Sequence, residues 1–310
     1  MVKVAVLDDY QGVALTSADW SALDGKAEVT VFRDHLAGED ALVERLAPFA
    51  IVCVMRERTP LTRSLLERLP NLRLIASTAP HNASIDVAAA RERGVEVRHT
   101  GYASNGAIEL TWALILAAAR HLPAESQSVR AGGWMTDVGL DLAGSTLGIV
   151  GLGRIGSAAA RIAKAFEMRV VAWSTNLTAE RAAEAGATLV AKDQLFREAD
   201  FVTLQLVLSA RTRHIVGASE LAVMKPTAWL VNSSRGPLVD EAALIDTLRR
   251  GAIAGAALDT YAEEPLPPDH PFRTLPNVIA TPHIGFVTKN TYAVFYRDTV
   301  ENVADFIANR

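Results

Sequence analysis

The sequence predicts an α/β protein with two Rossmann-like, doubly wound parallel sheets. Three observations carry this. Short apolar runs of strand length alternate with segments of helical spacing along most of the chain. One run leads into three glycines at G-x-G-x-x-G spacing and then into a helical segment. The 310 residues, half of them hydrophobic, are enough for about two cores.

The elements follow in order. Residues 2–7 read as a strand, as do Val29 to Phe32, Ile51 to Met55 and Leu72 to Ala76. Asp40 to Leu46 and Val87 to Arg93 have helical spacing. Gly94 stops the second, and Val95-Glu96-Val97 is extended. This first unit has no phosphate loop and reads as a substrate domain. Its polar loops, Arg56-Glu57-Arg58-Thr59 and Thr78-Ala79-Pro80-His81-Asn82, follow strands, where ligands of such folds lie. Cys53 sits inside an apolar strand and reads as core; as the one cysteine, it suits a reducing cytoplasm. Ala107 to Arg120 reads as a buried helix, apolar on most sides and suited to a subunit contact. Residues 121–144, with Gly132, Gly133 and Trp134, read as an irregular arm.

The central unit begins with the strand Leu147 to Val150. Gly151 makes a tight turn, Gly153 admits a pyrophosphate close to the backbone, and Gly156 lets the helix Ser157 to Phe166 pack closely. The helix N-terminus, with Arg154 and Ile155, suits an anion. Strands follow at Arg169 to Trp173, Thr188 to Val190, Phe201 to Leu206, Ala228 to Asn232, Gly255 to Asp259 and Val278 to Ala280. Helices are expected at Glu180 to Ala185, Glu241 to Arg250 and about Lys289 to Ala308.

Composition excludes several classes. A net charge of −4 gives no reason to expect nucleic acid. No apolar stretch approaches the ~20 residues that span a bilayer, and the N-terminus does not read as a signal peptide. No metal is assigned.

Polar residues stand at several strand ends: Asn232-Ser233-Ser234-Arg235-Gly236, Ala257-Leu258-Asp259, Glu264-Pro265 and Thr281-Pro282-His283-Ile284-Gly285. With Gly151 to Gly156, these ordered motifs resemble the D-isomer-specific 2-hydroxyacid dehydrogenases, a group that includes glyoxylate, hydroxypyruvate and phosphoglycerate enzymes. The resemblance runs from about residue 50 to the C-terminus. It implies a nucleotide-binding domain at 100–284 inserted into a substrate domain at 1–99 plus 285–310, and a homodimer formed through the helix at 107–120 and the arm. It also implies hydride transfer between NAD(P)H and a short 2-keto acid.

That chemistry needs a grip on the carboxylate, a proton for the carbonyl oxygen and a hydride delivered to one face. Arg235 offers a permanently charged planar fork. His283 can carry a proton near neutral pH, and Glu264 would orient its ring. By resemblance, Asp259 accepts from the nicotinamide carboxamide. The resemblance implies further cofactor positions at Leu206, Val207, Thr212, Ser233, His283 and Gly285. Relatives that oxidise formate carry glutamine in place of Glu264, which argues against that activity.

The second strand of this unit ends Ser174-Thr175-Asn176, with no acid before Glu180. A carboxylate there would bind ribose hydroxyls and repel a 2′-phosphate; these three can donate hydrogen bonds to it. NADP(H) is favoured, with NAD(H) the alternative. Arg154 and Arg181 are the nearest arginines. Where many relatives have a glycine-rich carboxylate loop, this chain has Pro80, which lacks an N–H, and His81. Arg56, His81 and Asn82 are therefore candidate substrate contacts. Gln205 and Val207 replace a common histidine and proline. A dinucleotide-sensing corepressor, which keeps the same three residues in this fold, is the alternative reading; the absence of disordered tails argues against it.

Overall fold

The structure, a computed structural model describing residues 1–103 and 105–309, divides into two units. Residues 105–286 form one, inserted into the other, which comprises residues 1–104 and 287–310.

The first unit is built on five parallel strands in the order β2-β1-β3-β4-β5. They are β1 (Val2–Val6), β2 (Ala27–Val31), β3 (Ile51–Val54), β4 (Leu74–Ser77) and β5 (Glu96–His99). Helices α1 (Glu39–Leu46), α2 (Arg63–Glu67) and α3 (Val87–Glu92) connect them. Every residue of β3 and β4 is buried, so these strands are continuous apolar runs. Leu46, Leu65, Leu66 and Ile75 pack into one core. The direction of strand addition reverses between β1 and β3, so the loops after these two strands flank the switch point.

The second unit opens with α4 (Asn105–Ala119) and α5 (Leu122–Arg130). Its sheet has seven parallel strands in the order β12-β11-β10-β9-β6-β7-β8. These are β6 (Thr146–Val150), β7 (Arg169–Trp173), β8 (Thr188–Leu189), β9 (Phe201–Leu204), β10 (Trp229–Asn232), β11 (Gly255–Leu258) and β12 (Val278–Ala280). The connecting helices are α6 (Arg154–Ala165), α7 (Ala179–Glu184), α8 (Lys192–Glu198), α9 (Ala218–Ala222) and α10 (Glu241–Arg249). One core joins α4 and α6 to the sheet through Trp112, Ile115, Ala159 and Ala163. A second, with Leu195, Phe196, Leu244 and Leu248, packs α8 and α10 against it. The chain then returns to the first unit as α11 (Lys289–Ala308), where Phe295 and Val303 are fully buried and Asp298 accepts from the Gly101 N–H at 2.7 Å. Among the described residues no helix is long and apolar enough to cross a membrane.

Local expectations fail where the signal is short. The arm expected to be irregular carries α5, which starts at Leu122-Pro123, has Glu125 in its first turn and Arg130 in its last, and so follows the usual helix-end preferences. Helices α2, α8 and α9 have five to seven residues, too few for a clear period. The glycine helix starts at Arg154 rather than Ser157, so Gly156 lies inside it.

Cys53 is buried, and burial pushes its thiol up to about 12. The native protein should therefore resist a thiol reagent at neutral pH and react with one equivalent after denaturation, which a chromogenic disulfide assay measures.

Candidate active site

The sheet of the second unit changes direction between β6 and β9. The glycine loop lies there, and each glycine has its own geometric reason. Gly151 has φ +103, and a Cβ on it would stand 2.6 Å from the Gln205 carbonyl oxygen. A Cβ on Gly156 would stand 2.2 Å from the carbonyl oxygen of Gly151, so α6 can start against its own turn only with glycine there. Gly153 is different: no atom lies within 4 Å of its would-be Cβ. It is the N-cap of α6 and gives no side-chain cap, so the start of the helix, with its positive dipole end, suits an anion.

Asp259 follows β11 and is fully buried. Its Oδ1 accepts from the Thr281 hydroxyl at 2.6 Å and the Ile284 N–H at 2.8 Å. Its Oδ2 accepts from the Gly285 N–H at 2.9 Å. Burial pushes the carboxyl up, and these three donors pull it back. The loop held in this way carries His283 at φ +52, a left-handed conformation that costs a non-glycine residue about 1 kcal/mol or more. The three bonds fix the residues on both sides of the strained one.

Glu264 completes the pair. Its Oε1 accepts from the Tyr261 N–H at 2.9 Å, and its Oε2 lies 2.6 Å from His283 Nδ1. An ionised Glu264 makes Nδ1 the donor and leaves Nε2 as the ring's working nitrogen. The Tyr261 hydroxyl donates to the Thr281 carbonyl at 2.9 Å, tying the two loops together again.

Arg235 enters through the backbone. Asn232 Nδ2 donates to the Arg235 carbonyl at 2.9 Å, and Asn232 Oδ1 accepts from the Ser234 N–H at 3.1 Å, which staples the turn after β10. A Cβ on Gly236 would sit 2.0 Å from the Tyr261 carbonyl carbon. This close approach presses the arginine turn against the loop that bears Glu264.

The remaining candidates divide. Ser174 is half-buried at the end of β7, while Thr175, Asn176 and Arg154 are exposed. Leu206 is half-buried and Val207 is exposed. The Thr212 hydroxyl is engaged within its own loop, accepting from the Ser209 N–H and donating to the Val207 carbonyl. The Ser233 hydroxyl lies 2.7 Å from that of Thr111 on α4. Gln205 donates to Thr203 at 2.9 Å, so its amide points into the same network.

In the first unit, Arg56 has φ +54. Its N–H donates to the Thr78 hydroxyl and its carbonyl accepts from Asn82 Nδ2. Asn82 is buried, also donates to Ser77 Oγ and accepts from the Ser84 N–H, so both amide protons serve the loop. Ala79 takes φ +66, a conformation glycine adopts more easily, and is held by the Thr100 hydroxyl. His81 is exposed. Thr281 and Tyr261 join the site beyond the residues the sequence points to. The signal for the first is its position, a polar residue at a strand end; the second contributes its N–H to Glu264 and its hydroxyl to the Thr281 carbonyl, contacts across the fold that leave no sequence mark.

Comparison with known proteins decides the family. The model of the D-isomer specific 2-hydroxyacid dehydrogenase NAD-binding domain matches residues 112–285. The chain belongs to the D-isomer specific 2-hydroxyacid dehydrogenase family. A member of this family is an oxidoreductase that uses a nicotinamide dinucleotide and acts on small 2-hydroxy or 2-keto acids. The chain is 42% identical to a glyoxylate reductase of Aeropyrum pernix over 78% of its own length and 75% of that protein's. It is 40% identical to a D-3-phosphoglycerate dehydrogenase of Methanocaldococcus jannaschii over 93% of its length, but spans only 54% of that protein. A crystal structure of a phosphoglycerate oxidoreductase from Vibrio cholerae superposes with a TM-score of 0.94 at 40% identity, covering all of both chains. These relatives carry enzyme names, and nothing favours the corepressor reading of this dehydrogenase.

Gly236→Ala tests the close approach. It should destabilise the second unit by about 1–3 kcal/mol, because backbone must move. Gly153→Ala, with no atom within 4 Å, should shift the urea midpoint much less.

Proposed function

We propose that this dehydrogenase reduces a short 2-keto acid, with glyoxylate and hydroxypyruvate as first candidates, to the D-2-hydroxy acid, using NADP(H) in preference to NAD(H). The observation that carries the reading is the 2.6 Å contact between Glu264 and His283 Nδ1, which turns Nε2 into a proton donor of fixed direction.

The open face of Gly153 and the uncapped start of α6 fit a pyrophosphate. When bound, the nicotinamide supplies or takes up the hydride. Arg235 grips the substrate carboxylate and polarises the carbonyl, since its charge is permanent and its fork matches two oxygens. His283 gives its proton to the carbonyl oxygen in reduction and takes it back in oxidation. Glu264 orients the ring and offsets the positive charge that it carries before transfer. Asp259 holds the His283 loop; two of its lone pairs face Ile284 and Thr281, and a third faces Gly285, so its share in holding the carboxamide is limited to what remains on Oδ2.

Units divide the labour in this reading. The second binds the dinucleotide, through Gly151 to Gly156, Ser174 to Asn176, Leu206, Val207, Thr212, Ser233 and Gly285. The first contributes Arg56 and His81 to the substrate, with Asn82 positioning Arg56. Absence of an acid at 174–176 supports NADP(H). Names among the relatives support the substrate: the glyoxylate reductases are matched over 75% and 88% of their length.

We also assign a homodimer, in the cytoplasm. The arm displays Trp134, Met135 and Val138 at 70%, 81% and 87% exposure, with Leu122 and Val129 beside them in sequence. It is held in shape by Glu125, which accepts from the N–H groups of Thr136 and Asp137. Ordered, apolar and exposed surface of this kind is covered in a stable protein, and a second copy is the occupant that every molecule has at hand.

Two measurements test this. With NADPH and a panel of glyoxylate, hydroxypyruvate and 3-phosphohydroxypyruvate, turnover should be fastest on the two short acids; His283→Asn should lower kcat about 10²–10⁴-fold and Arg235→Gln kcat/KM about a thousandfold. Undiminished rates in both variants would overturn the roles. Light scattering should give the mass of two chains, and Met135→Glu with Val138→Glu should give one.

A further inference from the structure

The groove between α6 and α7 holds a cavity of about 200 Å³ lined by Leu152, Ser157, Arg161, Arg181, Glu184 and Ala185. Leu152 stands between the first two glycines of the loop, so the cavity begins beside the glycine turn. Ser157 and Arg161 are one turn apart on α6 and share a face. Lys164 continues that face, running past Gly186 within ordinary contact distance of where a Cβ would be. Arg181 reaches in from α7.

Charge in this cavity is unbalanced. Many exposed arginines of the chain are paired: Arg63 with Glu92, Arg68 with Asp40 and Arg250 with Asp246. Among the described residues, neither Arg161 nor Arg181 has a carboxylate oxygen within 4.0 Å, although Glu184 lines the same cavity. Two guanidiniums against one carboxylate leave a net positive cavity. The acid nearest the end of β7, Glu180, is turned to its own helix start: its own N–H and then the Thr178 hydroxyl hold its carboxyl below the usual range. No acid stands between the end of β7 and Glu180. Ser174 to Asn176, at the end of β7, add hydrogen-bond donors and no negative charge.

We infer that Arg161 and Arg181 form a phosphomonoester site between α6 and α7, which takes the 2′-phosphate of the dinucleotide. The inference rests on the NADP(H) reading above and deepens it, since the discriminating groups sit on two helix faces rather than at the strand end. A dianion between two guanidiniums makes charge-assisted hydrogen bonds to both, whereas a ribose hydroxyl gains little from either.

The test is binding to the enzyme without turnover, read by calorimetry or tryptophan fluorescence, with NADPH, NADH, 2′,5′-ADP, 5′-AMP and inorganic phosphate as probes. Arg161→Gln and Arg181→Gln should each weaken NADPH and 2′,5′-ADP about tenfold to a hundredfold, and leave NADH and 5′-AMP within about twofold. Inorganic phosphate should compete with 2′,5′-ADP. A wild-type preference for NADPH that both variants retain would overturn the site and leave the cofactor reading standing. Equal weakening of NADPH and NADH would also overturn the site, as would phosphate binding that does not compete with 2′,5′-ADP. A wild-type enzyme that binds NADH as tightly as NADPH would overturn the cofactor reading, and the site with it.

Discussion

A single buried carboxylate organises the chemistry of this dehydrogenase. Burial of Asp259 pushes its carboxyl above the ordinary range, and three donors, from Thr281, Ile284 and Gly285, offset part of that cost. The same three bonds hold His283 in a left-handed backbone that it would leave if released. The burial of one group thus stabilises the strain of another. Glu264, fixed by the Tyr261 N–H, then meets a ring whose position is already set. The order of dependence runs from β11 to Asp259, to the loop after β12, and last to the imidazole.

Close approach of backbone to backbone is the second constraint. Gly151, Gly156 and Gly236 each occupy a place where a Cβ would fall within 2.0–2.6 Å of a carbonyl group. Two of them shape the start of α6, and the third seats the Arg235 turn against Tyr261. The first unit solves its loop problem differently. Arg56 and Ala79 take positive φ without glycine, and hydroxyls of Thr78 and Thr100, with the amide of Asn82, hold them there. Such loops are rigid through hydrogen bonding rather than through absent side chains, and they tolerate a side chain at the position where it can meet a ligand.

The arm after α4 shows how order and exposure combine. Its backbone is tied down: Glu125 and Ser128 bind the returning chain of residues 134–137, so the exposed apolar residues stand on a path of defined shape. A shaped apolar surface loses little conformational entropy on association, which is the condition for a specific contact.

The sequence by itself determined the α/β class, the parallel strands of both sheets and the order of the chemical motifs. Strand cores such as Ile51–Val54 and Trp229–Asn232 are buried along their whole length, and burial of that kind writes itself as an unbroken apolar run. The pairing of His283 with Glu264 was legible only through the ordered motifs that resemble the family, since either residue alone could be structural. Short helices were not legible, since α2 and α9 have five residues each and a 3.6-residue period needs more. Tertiary structure alone decided that Asp259 faces the His283 loop, that Asn82 serves Arg56 and that Thr212 serves its own loop. Those outcomes depend on which donors lie within about 3 Å in space, and residues 22 to 26 positions apart in the chain, such as Asp259 and Gly285, carry no mark in the sequence that they will meet.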